Sequence, residues 1–147
     1  MKTPFTAVDT NILLYALNAD APENAAARAF LHARAADPNT VISELVLVEL
    51  YVLLRNPAVV KHPLDPQQAV KWVQQFRRHP VWQLVDHDAD AMDGVWRAAA
   101  RPAFARTRIF DARLALSLIR RGVTHFATRN TAHFQPFGFD KVWDPLI

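Results

Sequence analysis

Three acidic residues in this sequence stand where a lone negative charge needs a reason. Asp9 closes the apolar run Phe5-Thr6-Ala7-Val8. Glu49 lies within Leu45-Val46-Leu47-Val48-Glu49-Leu50-Tyr51-Val52-Leu53-Leu54, and its neighbours three and four positions away are Leu45, Val46, Val52 and Leu53. That spacing predicts a carboxylate on an apolar helix face, which is costly unless a cation or a proton joins it. Arg55 is too far round such a helix to serve, so the partner, an arginine or a metal ion, must come from another part of the chain. Asp111 is the lone acid in a stretch holding Arg97, Arg101, Arg106, Arg108, Arg113, Arg120, Arg121 and Arg129. Each acid has an ordinary structural use as well, Asp9 and Asp111 at helix starts and Glu49 in a salt bridge. Brought together they would repel one another, and Mg²⁺ or Mn²⁺ relieves such repulsion. Oxygen donors without cysteine or clustered histidine point to a hard metal rather than zinc. Asn130, in Thr128-Arg129-Asn130, could add a carbonyl oxygen, although turns are its commoner use. His133 follows in the same segment, where a lone histidine usually packs or faces solvent.

The elements that must position these groups can be read from the pattern of apolar runs and breaks. Strands are expected at 5–8, 40–42, 82–85, 123–127 and, more weakly, 141–143. Helices are expected at 11–17, from a capping box at Asp20 to Glu23 through 35, and from a cap at Ser43 to 55. Another should follow the capping box Asp65-Pro66-Gln67-Gln68, with Ala69, Val70, Val73 and Phe76 at helical spacing. Two more are expected at 88–100 and 109–121, the latter stopped by Gly122. Strands alternating with helices, without Asn-Gly or Asp-Gly hairpin signals, imply parallel pairing through crossover helices. The expectation is one three-layer α/β/α domain over 1–147, with a central, mostly parallel sheet of four to five strands. Its functional site should lie beyond the carboxyl ends of the strands, where the strand order reverses.

Composition excludes several other readings. The 147 residues suit one ordinary domain, and 51% hydrophobic with 21% charged residues is a globular balance. Cysteine is absent, which removes disulfides, thiol chemistry and cysteine zinc sites. The apolar stretch within residues 1–8 is too short for an export signal, and no window suits a membrane span, so a cytoplasmic location is expected. The net charge of +3 is modest. It conceals the arginine-rich segment, which fits either a polyanion partner or a solvated surface, and an acidic cluster at Asp86, Asp88, Asp90 and Asp93. His87 has no metal-ligand spacing.

In order along nearly the whole chain, the motifs resemble those of the PIN-domain nucleases, and among them the VapC-like toxins of type II toxin–antitoxin systems. The resemblance rests on Val8-Asp9-Thr10-Asn11-Ile12-Leu13-Leu14-Tyr15-Ala16, on Ser43 and Glu49 with Leu54-Arg55-Asn56-Pro57, and on Phe110-Asp111-Ala112-Arg113-Leu114-Ala115. Thr128-Arg129-Asn130-Thr131-Ala132-His133-Phe134 with Trp143-Asp144-Pro145 completes it. It implies that Asp9, Glu49 and Asp111 form an acidic site for Mg²⁺ or Mn²⁺, with Asn130 at a fourth position that is often acidic in the family. Thr10, Asn11, Ser43, Thr128 and His133 would orient ligands or meet substrate, and Arg108, Arg113 and Arg129 would meet the RNA backbone. The implied activity is metal-dependent endoribonuclease cleavage by an activated water, leaving a 5′-phosphate and a 3′-hydroxyl. The implied partners are RNA, a small antitoxin and a second copy of the chain.

Three rivals bear on the same residues. Phosphatases of the haloacid dehalogenase type open with Asp-x-Asp, where this chain has Asp9-Thr10-Asn11. Phospho-receiver domains need a lysine after the last strand, and the late lysine here is Lys141. A catalytically weak or inactive PIN-like scaffold that binds RNA or a protein is the alternative that Asn130 makes serious.

Overall fold

The computed structural model describes residues 3–147; Met1 and Lys2, the start of the stretch weighed above as an export signal, lie outside them. Five short strands form one parallel sheet: β1 (Phe5–Val8), β2 (Thr40–Ser43), β3 (Gln83–Val85), β4 (Val123–Ala127) and β5 (Lys141–Trp143). Their order is β3-β2-β1-β4-β5. The chain therefore steps outward from β1 on one side, then returns to place β4 on the other. Helices flank this sheet: α1 (Thr10–Leu17), α2 (Asn24–Arg34), α3 (Glu44–Leu54), α4 (Pro66–Arg77), α5 (Met92–Ala99), α6 (Ile109–Arg120) and the single turn α7 (Thr131–Phe134). The three-layer α/β/α arrangement and the parallel sheet are those expected, and the sheet has the larger of the two strand numbers.

The central strands are covered on both faces, as parallel sheets require. Ala7, Val8, Val41, Ile42 and Phe126 are buried, together with Ile12, Leu13, Leu47, Leu50 and Leu118 from the helices. Burying each of these valine, leucine, isoleucine and phenylalanine side chains contributes about 2 kcal/mol. The edge strands β3 and β5 carry exposed Gln83 and Lys141 instead. Pairing of β1 with β4 sets Val8 opposite Ala127. Pairing with β2 sets Ala7 opposite Val41, so three strands end near one level.

Side-chain caps from Asp9, Ser43 and Asp65 open α1, α3 and α4. Asp65 accepts from the Gln68 amide at 2.8 Å while Gln68 accepts from the Asp65 amide at 3.1 Å, completing the expected box before α4. Gly122, at φ +89°, turns the chain from α6 into β4. The box expected at Asp20 does not form. Residues 20–23 make turns, and α2 starts at Asn24 with no side-chain cap. The Asp20 carboxylate faces His62 at 3.8 Å instead, and Asn24 donates to the Tyr15 and Ala16 carbonyls at 2.8 and 3.2 Å. Those carbonyls lie in the last turn of α1, where helix acceptors lack their usual intrahelical partners, so one amide side chain joins the two helices. Among the described residues no helix is long and apolar enough to cross a membrane.

Candidate active site

At the carboxyl end of β1 the chain turns straight into α1, and Asp9 is the residue at that turn. Its amide donates to the Ala127 carbonyl at 3.0 Å, which ties the turn to β4. Its Oδ1 accepts from the Thr10 amide at 2.8 Å and its Oδ2 from the Thr128 hydroxyl at 2.6 Å. Thr128 in turn accepts from the Asn130 amide at 3.0 Å. A buried carboxylate held by these bonds is still short of positive charge. Burial, with smaller contributions from the negative charges of Glu49 and Asp111, pushes the Asp9 pKa up to about 6, against the hydrogen bonds from Thr128 and Thr10.

Glu49 reaches the same place by a different route from the one its sequence suggests. The apolar neighbours predict burial, but α3 buries Val46, Leu47, Leu50 and Leu54 fully and Leu45, Tyr51 and Leu53 in part. Glu49 is exposed, beside Val48 at 64% and Val52 at 57% exposure. The helix is apolar almost all round, so periodicity carries no signal for which face the core takes. The Glu49 Oε2 accepts from the Thr10 hydroxyl at 3.0 Å, and the Thr10 hydroxyl also lies 3.4 Å from the Val46 carbonyl. No guanidinium pairs with Glu49 among the described residues.

Asp111, in the first turn of α6, lines the same cleft as Asp9 and Glu49, a space of about 610 Å³. Its Oδ2 is 4.0 Å from the Arg108 Nε and 3.6 Å from the His133 Nδ1. Partial burial raises its pKa, and His133 and Arg108 oppose that shift. Thr10, Asn11, Arg113, Arg129 and Asn130 also line the cleft. Thr128, His133 and Arg108 act on it through the contacts just given. Ser43 does not join them: it is buried, and its hydroxyl accepts from the Leu45 amide at 3.1 Å as the cap of α3. Tyr15, Thr107 and the 64%-exposed Phe110 are cleft residues that sequence reasoning did not assign. The Arg113 guanidinium lies 5.8 Å from the Phe110 ring centroid, and its buried Nε has no hydrogen-bond partner among the described residues.

Among the described residues no three acidic or imidazole groups already meet as a closed metal cage. Asp9, Glu49 and Asp111 instead face a shared space from three elements. A set of carboxylate oxygen donors in which both Asp9 and Asp111 are held at raised pKa values fits a hard divalent cation, since Mg²⁺ typically takes one or two carboxylates and completes its sphere with water and phosphate.

The cleft opens beyond the strand ends between β1 and β4, where the strand order reverses, the place at which open parallel α/β sheets generally bind ligands. A family model, described as PIN domain, matches residues 6–137. Ribonuclease VapC24 of Mycobacterium tuberculosis (strain CDC 1551 / Oshkosh) is 53% identical over 139 residues, covering 95% of each chain. Among solved structures, Mycobacterium tuberculosis VapC20, a sarcin-ricin loop cleaving toxin, is similar with TM-score 0.68 and 18% identity, over 91% of this chain and 95% of that one. Rickettsia felis VapBC2, solved with a DNA fragment from its promoter, gives TM-score 0.62 and 19% identity, over 95% and 97%. The chain belongs to the PIN-domain family, in its VapC branch.

Proposed function

We propose that the protein is a metal-dependent endoribonuclease, the toxin of a type II toxin–antitoxin pair, that hydrolyses RNA phosphodiester bonds. The observation that carries this reading is that Asp9, Glu49 and Asp111, from β1, α3 and α6, line one cleft with Arg113 and Arg129 on its walls. Asp9, Glu49 and Asp111 would hold Mg²⁺ or Mn²⁺, with the Asn130 amide oxygen as a neutral fourth donor. The ion, when bound, supplies a water of lowered pKa and offsets negative charge on the phosphate.

The chain's own residues do the rest. Asp9 must be ionised, and the bonds from Thr128 and the Thr10 amide fix which lone pairs face the cleft. Thr10 spans the two acids, holding Glu49 by its hydroxyl and Asp9 by its amide. The Arg113 guanidinium, paired with no acid among the described residues, is suited to grip a phosphate oxygen, while Arg129 and Arg108 add positive charge nearby. His133 and Arg108 restrain the Asp111 carboxylate. The exposed Phe110 ring offers a face for an unpaired base. The 53% identity to a protein named a ribonuclease supports the reaction class, and the VapBC neighbours support a small cognate antitoxin. A homodimer and a cytoplasmic location follow from the family resemblance.

Incubating the purified protein with total RNA, with Mg²⁺, Mn²⁺ or EDTA, and sequencing the cut ends tests the reading. Divalent-dependent fragments with 5′-phosphate ends are expected, and Asp9→Asn should abolish them. RNA binding without cleavage under every condition would favour the scaffold reading that the neutral Asn130 brings forward.

A further inference from the structure

Among the arginines at the cleft, Arg129 is the one held from three sides. It follows β4 directly, and its backbone amide donates toward the Asn11 side chain at 3.4 Å. Its Nη1 donates to the Asp144 Oδ2 at 3.1 Å. Its guanidinium carbon lies 5.7 Å from the Tyr15 ring centroid, within cation–π range. Arg129 and Tyr15 line the cleft, whereas Asp144 does not. The anion therefore sits behind the cation and the ring beside it. Among the described residues no other acceptor meets the remaining guanidinium nitrogens.

Asp144 is itself fixed. Its Oδ1 accepts from the Leu146 amide at 2.9 Å, closing a turn just after β5. That strand end is tied to β4 by the Thr128 amide, which donates to the Trp143 carbonyl at 2.9 Å. The Trp143 ring packs edge-on against Phe30 with centroids 6.2 Å apart. The side chains of Arg129 and Asp144 are 30% and 14% exposed, so water competes little for the carboxylate. An ion pair so placed need add little to stability. It removes the rotamer freedom that a free arginine would lose on gripping a phosphate.

We infer that Asp144 and Tyr15 are positioning residues that hold Arg129 at the cleft wall as a preset contact for a phosphate of single-stranded RNA. This rests on the ribonuclease reading and adds what orients the cation. The turn after β5, distant in sequence from the acids, thereby becomes part of the substrate-binding apparatus.

A charge argument separates positioning from simple electrostatics. Asp144→Asn raises the net charge by one, so a purely electrostatic role predicts tighter RNA binding. Loss of a preset geometry predicts weaker binding.

The test measures binding of a fluorescein-labelled, mixed-sequence single-stranded RNA to the full chain in Ca²⁺ across a salt series. Thermal unfolding checks each variant, and wild-type cleavage of total RNA in Mn²⁺ is followed in parallel. Arg129→Ala should weaken binding about tenfold and lower the slope of log Kd against log salt by about one. Asp144→Asn should weaken it about threefold at unchanged salt slope, and should add nothing in the Arg129→Ala background. Tyr15→Leu, which leaves the ion pair in place, should act in the same direction and keeps the test open if Asp144→Asn unfolds. Asp144→Glu should restore much of the affinity. Cleavage by the wild type, together with Asp144→Asn and Tyr15→Leu binding RNA as tightly as the wild type or more so, would overturn this inference alone. A wild type that neither binds nor cuts RNA would overturn the ribonuclease reading and this inference with it.

Discussion

The two ends of α6 each place arginine beside aspartate and use the pairing in opposite ways. At its carboxyl end Arg120 and Arg121 reach Asp88 at 3.4 and 3.8 Å, and Arg120 also reaches Asp90 at 3.6 Å. The Asp88 carboxyl is held below its ordinary value, first by the Asp90 amide and then by the arginines. At the amino end Asp111 has Arg108 at 4.0 Å and His133 at 3.6 Å, its pKa is still raised, and Arg113 leans on Phe110 with no acid among the described residues. One end is a closed account of charge. The other leaves acids short of cations and a cation short of anions, which is what an ion and a phosphate would together correct. The arginine-rich segment thus divides: Arg120 and Arg121 pair with Asp88 and Asp90 of the acidic cluster, while Arg108, Arg113 and Arg129 stand at the cleft.

The largest expected difference between the ends is in activity. Asp111→Asn should lower RNA cleavage by about a hundredfold or more, on the scale of losing a group that stabilises transition-state charge. Asp88→Asn should leave cleavage close to the wild-type rate while lowering the melting temperature. Equal losses of activity at both ends would erase the distinction.

Stability against pH should differ in sign between Asp9 in the cleft and Asp88. Asp9 has a raised folded pKa, about 6 against 3.8, so its contribution is full below pH 4 and is lost as pH rises through 6. The change is about 2 to 3 kcal/mol. Asp88 has a depressed folded pKa, so its contribution is present above pH 4 and is lost as pH falls through the lower folded value. In metal-free buffer, Asp9→Asn should therefore raise stability at pH 7 and flatten the slope between pH 4 and 6. A variant less stable than the parent at pH 7 would contradict the account of Asp9.

A smaller contrast concerns RNA. Arg113→Ala should lower the salt slope of RNA binding by about one, and Arg121→Ala should leave it unchanged. The same slope change in both would mean that the whole segment acts as a diffuse basic surface.

Local pattern made the framework legible in the sequence. β1 is a short, mostly apolar run closed by Asp9, Asp65 and Gln68 cap each other within four residues, and Gly122 marks the turn into β4. Features set by distant partners were not legible. Asp20 was a sound cap by local rules, yet it faces His62 across the fold. Glu49 lies on a helix apolar nearly all round, and its outward face was decided by core packing and by Thr10, a partner 39 residues away. The bond from Thr128 to Asp9 spans 119 residues and exists because β1 pairs with β4. The Arg129–Asp144 pair follows from β5 lying beside β4. Residue types indicated the chemistry of the cleft, but strand order determined which side chains share it.

The central claim is that the acids from β1, α3 and α6 hold one divalent cation between them. Isothermal titration of Mn²⁺ into the wild type, Asp9→Asn, Glu49→Gln and Asp88→Asn tests it most directly. The account predicts binding by the wild type and Asp88→Asn, with marked weakening in Glu49→Gln and loss in Asp9→Asn. Mn²⁺ binding that survives Asp9→Asn and Glu49→Gln unchanged, or is absent from the wild type, would contradict it.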